Sequence, residues 1–252
     1  VAKFKKIIVA GPLVVEAIYP APNPRDSAGV RAGKKALSSE AQQRMNLKYA
    51  YQKMELEIAA NYGVKDIYAT FTYAPANAPA TRAEANKRMQ AFWRKLRAAR
   101  KAKGQELRYI YVTEHKHGDG LWHHHVLINA TGDDFALIRE LWGLGGIDFM
   151  QIRIDREKNY ETLARYLCKE QRERLGTRQW SCSRNLCKPE RECFRVPNDT
   201  PLTPPDGATV LMDTGDVTTA YGHFRYIKYL GQGWVNAPKP KARRRRKKVC
   251  RS

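Results

Sequence analysis

Between residues 66 and 172 the apolar and polar positions recur in a pattern that predicts strand, helix, strand, strand, helix, strand, helix. Asp66 to Tyr73 (DIYATFTY) alternates and is rich in aromatic and β-branched residues, the signature of a strand. Thr81 and Glu84 form a capping box, after which Ala85, Met89, Phe92 and Leu96 fall at helical spacing, so a helix is expected to run to about Lys103. Leu107 to Glu114 and Trp122 to Asn129 read as two strands joined across His117-Gly118-Asp119-Gly120. A helix over Asp133 to Trp142, a strand over Ile147 to Ile154 and a last helix from Asn159 to about Arg172 complete the series. The order βαββαβ is that of a ferredoxin-like or RRM-like domain, an α+β fold in which an antiparallel sheet carries helices on one face.

The flanks are less regular. A short apolar strand near the start precedes a loop-like stretch at Tyr19 to Lys35, rich in Pro and Gly, and then a helix over about Ser38 to Tyr62. From Val196 to Phe224 there is no Lys or Arg, and Pro197, Pro201, Pro204 and Pro205 punctuate the segment, which reads as a loop-rich excursion. Residues 1–65 are thus expected to be an N-terminal extension, 66–176 the core, 177–237 a C-terminal extension with a Pro-rich loop, and 238–252 a basic tail. The apolar stretch from Ile7 to Val15 is broken by Gly11-Pro12 and is too short for a membrane span or signal peptide.

Charge narrows the class of partner. Across 252 residues, 46 Lys+Arg stand against 25 Asp+Glu, a net charge of +21. Such an excess points to a polyanion, with nucleic acid favoured over an anionic membrane. Nine basic residues lie in the tail, including Arg243, Arg244, Arg245 and Arg246, yet +12 remains on residues 1–237. The tail adds phosphate affinity without sequence preference; the body is basic in its own right. Five cysteines do not suggest a disulfide framework. Cys182, Cys187 and Cys193 cluster without paired CxxC spacing, so free thiols are expected rather than a zinc site.

The chemistry concentrates in the run from Glu114 to Ile128. On a strand, His123 and His125 project to one face and His124 to the other, because side-chain direction has a period of two. Glu114, ending the opposite arm of the hairpin, falls beside them and completes a His, His, carboxylate set that suits Mn²⁺ or Mg²⁺. His115 and His117, near the turn, are alternative ligands, and the plainer reading is a surface or core histidine cluster. A second feature is Tyr166-Leu167-Cys168-Lys169. On a helix, Tyr160, Leu163, Ala164 and Leu167 form the apolar stripe, leaving Tyr166 on a polar face with Lys169 at i+3.

In this order, Thr70-Phe71-Thr72-Tyr73, His123-His124-His125 and Tyr166-Leu167-Cys168-Lys169 resemble the motifs of the HUH endonuclease superfamily, and more closely the rolling-circle replication initiators of single-stranded DNA phages and plasmids. The resemblance covers roughly residues 66–170. It implies that Glu114, His123 and His125 are metal ligands, Tyr166 the nucleophile and Lys169 its helper. Two departures stand out: the middle residue of the triplet is His124 rather than aliphatic, and Thr162 occupies the position where some phage initiators carry a second tyrosine.

The implied activity is metal-assisted attack by Tyr166 on single-stranded origin DNA, giving a 5′-phosphotyrosine link and a 3′-hydroxyl that primes replication, followed by rejoining. An HUH transposase or mobilisation relaxase would share the chemistry, and a non-catalytic RRM-like module would share only the binding. Arg97, Arg153, Arg165, Trp180 and Arg184 are candidate DNA contacts, Trp180 as a stacking platform or a core residue. No Walker-type phosphate loop is present, so a host helicase and polymerase are the expected partners, in the cytoplasm of a host cell, most naturally bacterial.

Overall fold

The computed structural model describes residues 3–20, 40–115, 121–155, 159–169, 180–219 and 222–231. The elements are β1 (Lys3–Ala10), β2 (Leu13–Pro20), α1 (Glu40–Asn61), β3 (Ile67–Thr72), α2 (Arg82–Ala102), β4 (Tyr109–His115), β5 (Trp122–Ile128) and α3 (Asp134–Trp142). They continue with β6 (Ile147–Gln151), α4 (Glu161–Leu167), β7 (Ser181–Cys182), β8 (Glu190–Val196), β9 (Thr209–Asp213), β10 (Val217–Thr219) and β11 (Gly222–Leu230). The chain is α+β, built on two antiparallel sheets.

The central sheet has the order β6-β3-β5-β4-β7. Its first four strands realise the βαββαβ pattern: β3 and β4, joined through α2, leave a gap that β5 fills. Alternation decides which way each residue faces. Ala69, Phe71, Val126 and Ile128 pack with Met89, Phe92 and Trp93 of α2 and Ile138 and Trp142 of α3. The opposite face, with Tyr68, Ile110, Val112 and Leu127, packs with residues of α1 and α4. Both faces are therefore covered, one more than the repeat alone predicts. The helix α2 starts where its capping box does: Thr81 accepts from the Glu84 N–H at 3.2 Å, and the Glu84 carboxylate accepts from the Ala80 N–H at 2.9 Å.

Arg100, the last buried residue of α2, is wholly enclosed and donates to Asp134 at 2.6 Å and to the Asn129 side chain at 3.0 Å. Burial opposes the charge on Asp134, but hydrogen bonds from Thr131 and the Arg100 guanidinium outweigh it and hold the carboxyl below its ordinary range. Removing one member of such a pair strands a buried charge, so Asp134→Asn is expected to cost about 3–5 kcal/mol in urea unfolding. The pH sign follows from the depressed value. The stabilisation is present above the unfolded carboxyl pKa, about 4, and is lost as pH falls through the lower folded value, so the variant should show a flatter acid limb.

The second sheet joins the two ends of the chain, in the order β10-β11-β2-β1-β8 with β9 beside β11. The apolar stretch near the start is two strands, not one, because Gly11-Pro12 turns the chain. Gly11 has φ +58°, and a Cβ there would lie 2.4 Å from the Ala59 carbonyl of α1, so only glycine lets the hairpin tip approach the helix. The segment from Val196 to Phe224, expected to be loop, contains β9, β10 and the start of β11. Among these, β9 is largely exposed and β10 is only three residues long, so neither carries the apolar alternation that would mark it in sequence. Residues 197–205 do lack regular structure. A buried cluster ties the second sheet to α4: the Lys228 ammonium of β11 contacts Glu161 at 2.6 Å and Glu55 of α1 at 2.9 Å. Among the described residues, Cys168, Cys182, Cys187 and Cys193 form no disulfide, and no helix is long and apolar enough to cross a membrane.

Candidate active site

Register places the histidine set. Glu114 of β4 pairs with His123 of β5, and Thr70 of β3 pairs with His125, so carboxylate and imidazoles share the α1/α4 face. Glu114 Oε2 lies 2.7 Å from His125 Nε2 and 3.7 Å from His123 Nε2. One ligand atom from each of the three residues falls within 4.8 Å of the others, a grouping able to hold a metal ion. The donor set of two imidazole nitrogens and one carboxylate fits a divalent cation of the Mn²⁺ type. Burial opposes the charge on Glu114, yet Lys169 and His125 outweigh it and keep the carboxyl low; burial pushes the His125 pKa down despite Glu114. An anionic oxygen and a neutral imidazole are the forms a metal requires.

His124 does something different. Fully buried on the α2/α3 face, it meets the Tyr73 hydroxyl through Nε2 at 2.8 Å and the Thr113 hydroxyl through Nδ1 at 2.9 Å. Burial and the two neighbouring histidines depress its pKa to about 3. His124 is thus a neutral core residue with both nitrogens satisfied, and the ambiguity of three consecutive histidines resolves by face.

Tyr68 is a site residue that sequence reasoning missed. It lies two residues before Thr70 on the same face of β3, and its hydroxyl is 2.8 Å from His125 Nδ1. A phenol donates to a bare Nδ1 or accepts from a protonated one, so it serves either tautomer and leaves Nε2 aimed at Glu114. The period-two alternation of DIYATFTY is the available signal: it puts Tyr68, Thr70 and Thr72 together, opposite the histidine-bearing face of β5.

Tyr166, on α4, is 42% exposed, and its hydroxyl lies 3.5 Å from His125 Nε2. Lys169, one turn on, is 2.7 Å from Glu114 Oε1 and 4.4 Å from the Tyr166 ring centroid. Burial works against the Lys169 charge, but Glu114 outweighs it and holds the ammonium above its ordinary pKa. Tyr160 is buried, donates to the Tyr62 carbonyl at 3.1 Å, and has its pKa raised by burial to about 12. It is held in the core, as the helical stripe predicts.

Residues 66–171 match the family model for the replication-associated proteins of the ORF2 type. That segment belongs to the rolling-circle Rep-type family. It contains Tyr68, Glu114, His123, His125, Tyr166 and Lys169, carried on β3, β4, β5, α4 and the residues just after it. No curated protein and no solved structure matches the chain.

The remaining candidates spread out from this Rep-type centre. Arg165 lies beside Tyr166 on α4, where it contacts Glu161 at 2.7 Å and stacks over the Tyr51 ring of α1 at 4.0 Å. Arg97 sits over Tyr109 on the other side of the central sheet, and Arg153 and Arg184 are exposed on loops. Trp180 is half-buried, donates to Glu57 at 3.2 Å and packs at the edge of the core, with Lys53 over its ring. His115 packs against Trp122 rather than joining the carboxylate and imidazole group. The loop with His117, the end of the α4 segment towards Arg172, and Arg243 to Arg246 lie outside the described residues.

Proposed function

We propose that the protein nicks and rejoins single-stranded origin DNA by forming a 5′-phosphotyrosine link through Tyr166, as a rolling-circle replication initiator acting in a host cell. The observation that carries this reading is the convergence of Glu114, His123 and His125 with the Tyr166 hydroxyl 3.5 Å from His125 Nε2, inside a replication-family segment. Residues 66–176 carry the chemistry. The extensions at 1–65 and 177–237 and the tail at 238–252 supply further DNA affinity, and helicase and polymerase come from the host.

Glu114, His123 and His125 would hold the divalent cation, Mn²⁺ or Mg²⁺, which polarises the scissile phosphate and offsets its developing charge. The chain's own residues do the rest. Tyr166 is exposed enough to meet a phosphodiester and attacks phosphorus in line. The bond to the 3′-oxygen breaks, and the phenolic proton passes overall to that leaving group. Lys169, between Glu114 and the tyrosine ring, places positive charge where phenolate and phosphate charge develop. The phosphotyrosine retains the phosphodiester's energy, so a later 3′-hydroxyl reverses the step without ATP.

A randomised pool of labelled single-stranded DNA incubated with protein and Mn²⁺ tests this directly. A protein-linked band on a denaturing gel, absent with EDTA, is expected; binding without cleavage or adduct from any sequence would overturn the reading in favour of a non-catalytic module. A positioning role for Tyr68 gives a separate expectation. Tyr68→Phe should weaken Mn²⁺ binding by about 10–100-fold in calorimetry while the folded fraction is kept. Unchanged metal affinity would restrict Tyr68 to packing.

A further inference from the structure

We propose that the cleft between α1 and the terminal sheet, outside residues 66–171, is a second single-strand site that stacks unpaired DNA bases. The proposal rests on reading the protein as a single-strand nickase, and it assigns the terminal sheet a role in holding that strand.

Register builds the surface. On the face of the terminal sheet turned to α1, Arg195, Phe4 and Tyr19 are neighbours on β8, β1 and β2, and Cys193, Lys6, Ala17 and Tyr226 form the next row across to β11. The Phe4 and Tyr19 rings stack, with centroids 6.1 Å apart. Alternation sorts the charges of the edge strand β8: Arg191, Cys193 and Arg195 share the aromatic face, whereas Glu190 and Glu192 pair with Val9 and Ile7 and point to the other. The same sheet is basic and aromatic on one side and acidic at the edge of its back.

Towards its N-terminal half α1 stands off from this face and leaves a cleft of about 590 Å³, lined by Lys6, Tyr19, Tyr49, Gln52, Phe224 and Tyr226. That volume is in the range of small-molecule pockets, room enough for a nucleotide. Tyr49 is 58% exposed at its mouth. Of the acidic residues near it, Glu55 is engaged by Lys228, and Asp213 by Arg225. Rings on neighbouring antiparallel strands, flanked by lysine and arginine, are how single strands are held without sequence preference: bases stack and phosphates meet the cations. The wall is also continuous with the catalytic helix, because Tyr51, two residues beyond Tyr49, lies under the Arg165 guanidinium next to Tyr166. Charge complementarity with a chain of net charge +21 selects single-stranded DNA as the occupant.

Binding of a fluorescein-labelled oligothymidine of about twenty nucleotides, long enough to span two sites, is read by anisotropy. Tyr49→Ala and Tyr19→Ala should each weaken it about tenfold. The pair Lys6→Ala with Arg195→Ala should reduce the salt slope by about 1.4, two phosphate contacts' worth. In all of them, nicking at saturating oligonucleotide should keep its wild-type rate. Photocrosslinking of an oligonucleotide carrying 5-iododeoxyuridine should label Tyr19, Tyr49 or Phe224. Wild-type affinity and salt slope in every variant, or crosslinks confined to residues 66–171, would overturn the cleft while leaving the nickase standing. Crosslinks in the cleft with no adduct at Tyr166 support the cleft and remove the nickase.

Discussion

Tyr166→Phe is expected to abolish the covalent protein–DNA adduct and to lower cleavage by at least about 10⁴-fold, with oligonucleotide affinity retained. The substitution removes one oxygen from a side chain that is 42% exposed, so packing is little changed and the loss belongs to chemistry. Tyr160→Phe is the matched control. Its hydroxyl is buried against the Tyr62 carbonyl, and its pKa is raised to about 12, so it has neither the access nor the acidity to attack a phosphate. Loss of that bond is expected to cost about 1 kcal/mol of stability and leave the adduct in place. A phosphopeptide map locating the linkage on any residue other than Tyr166, or an adduct persisting in Tyr166→Phe, would displace the nucleophile. With Thr162 one turn earlier on the helix, no second tyrosine stands in register to take over.

The control works because residue spacing alone already separates the two tyrosines. A helix from Asn159 puts Tyr160, Ala164 and Leu167 on one stripe and Tyr166 off it, and the structure buries the first three at 3% exposure or less. The same holds for the sheet. Period two separates His124 from His123 and His125, and a hairpin in register brings Glu114 opposite His123. Where the pattern is local and one face is buried, sequence carries the geometry.

It fails where pairing is long-range. Nothing in KFKKIIVA announces that it will pair with ERECFRV nearly two hundred residues later, yet β1 and β8 lie side by side and make the terminal sheet. The mostly exposed strand β8 alternates charge rather than hydrophobicity, Glu190 and Glu192 against Arg191 and Arg195, so no apolar period marks it. Lys228, on β11, finds its two carboxylates on α1 and α4, separate parts of the chain. Trp180 is the intermediate case. Its position after the catalytic helix is readable, but its N–H is turned towards Glu57, a partner more than a hundred residues earlier.

The histidine triplet yields the other large effect, because its members are expected to fail in different ways. His125→Ala and Glu114→Gln should each reduce Mn²⁺ affinity by more than the roughly 100-fold that outer-shell changes reach, and abolish cleavage with it. Each removes one of three convergent donors, and His125 lies at the centre, 2.7 Å from Glu114 and 2.8 Å from Tyr68. His124→Ala should leave metal affinity within a few-fold of wild type and instead lower unfolding free energy by about 2–4 kcal/mol. It empties a fully buried site and strands the Tyr73 and Thr113 hydroxyls, which lose their partner on the α2/α3 side of the sheet. Calorimetric Mn²⁺ titration beside urea unfolding separates the two classes in one set of proteins. If His124→Ala lost the metal while His125→Ala kept it, the register of β5 against β4 would be displaced by one residue, and the carboxylate beside the histidines would no longer be Glu114.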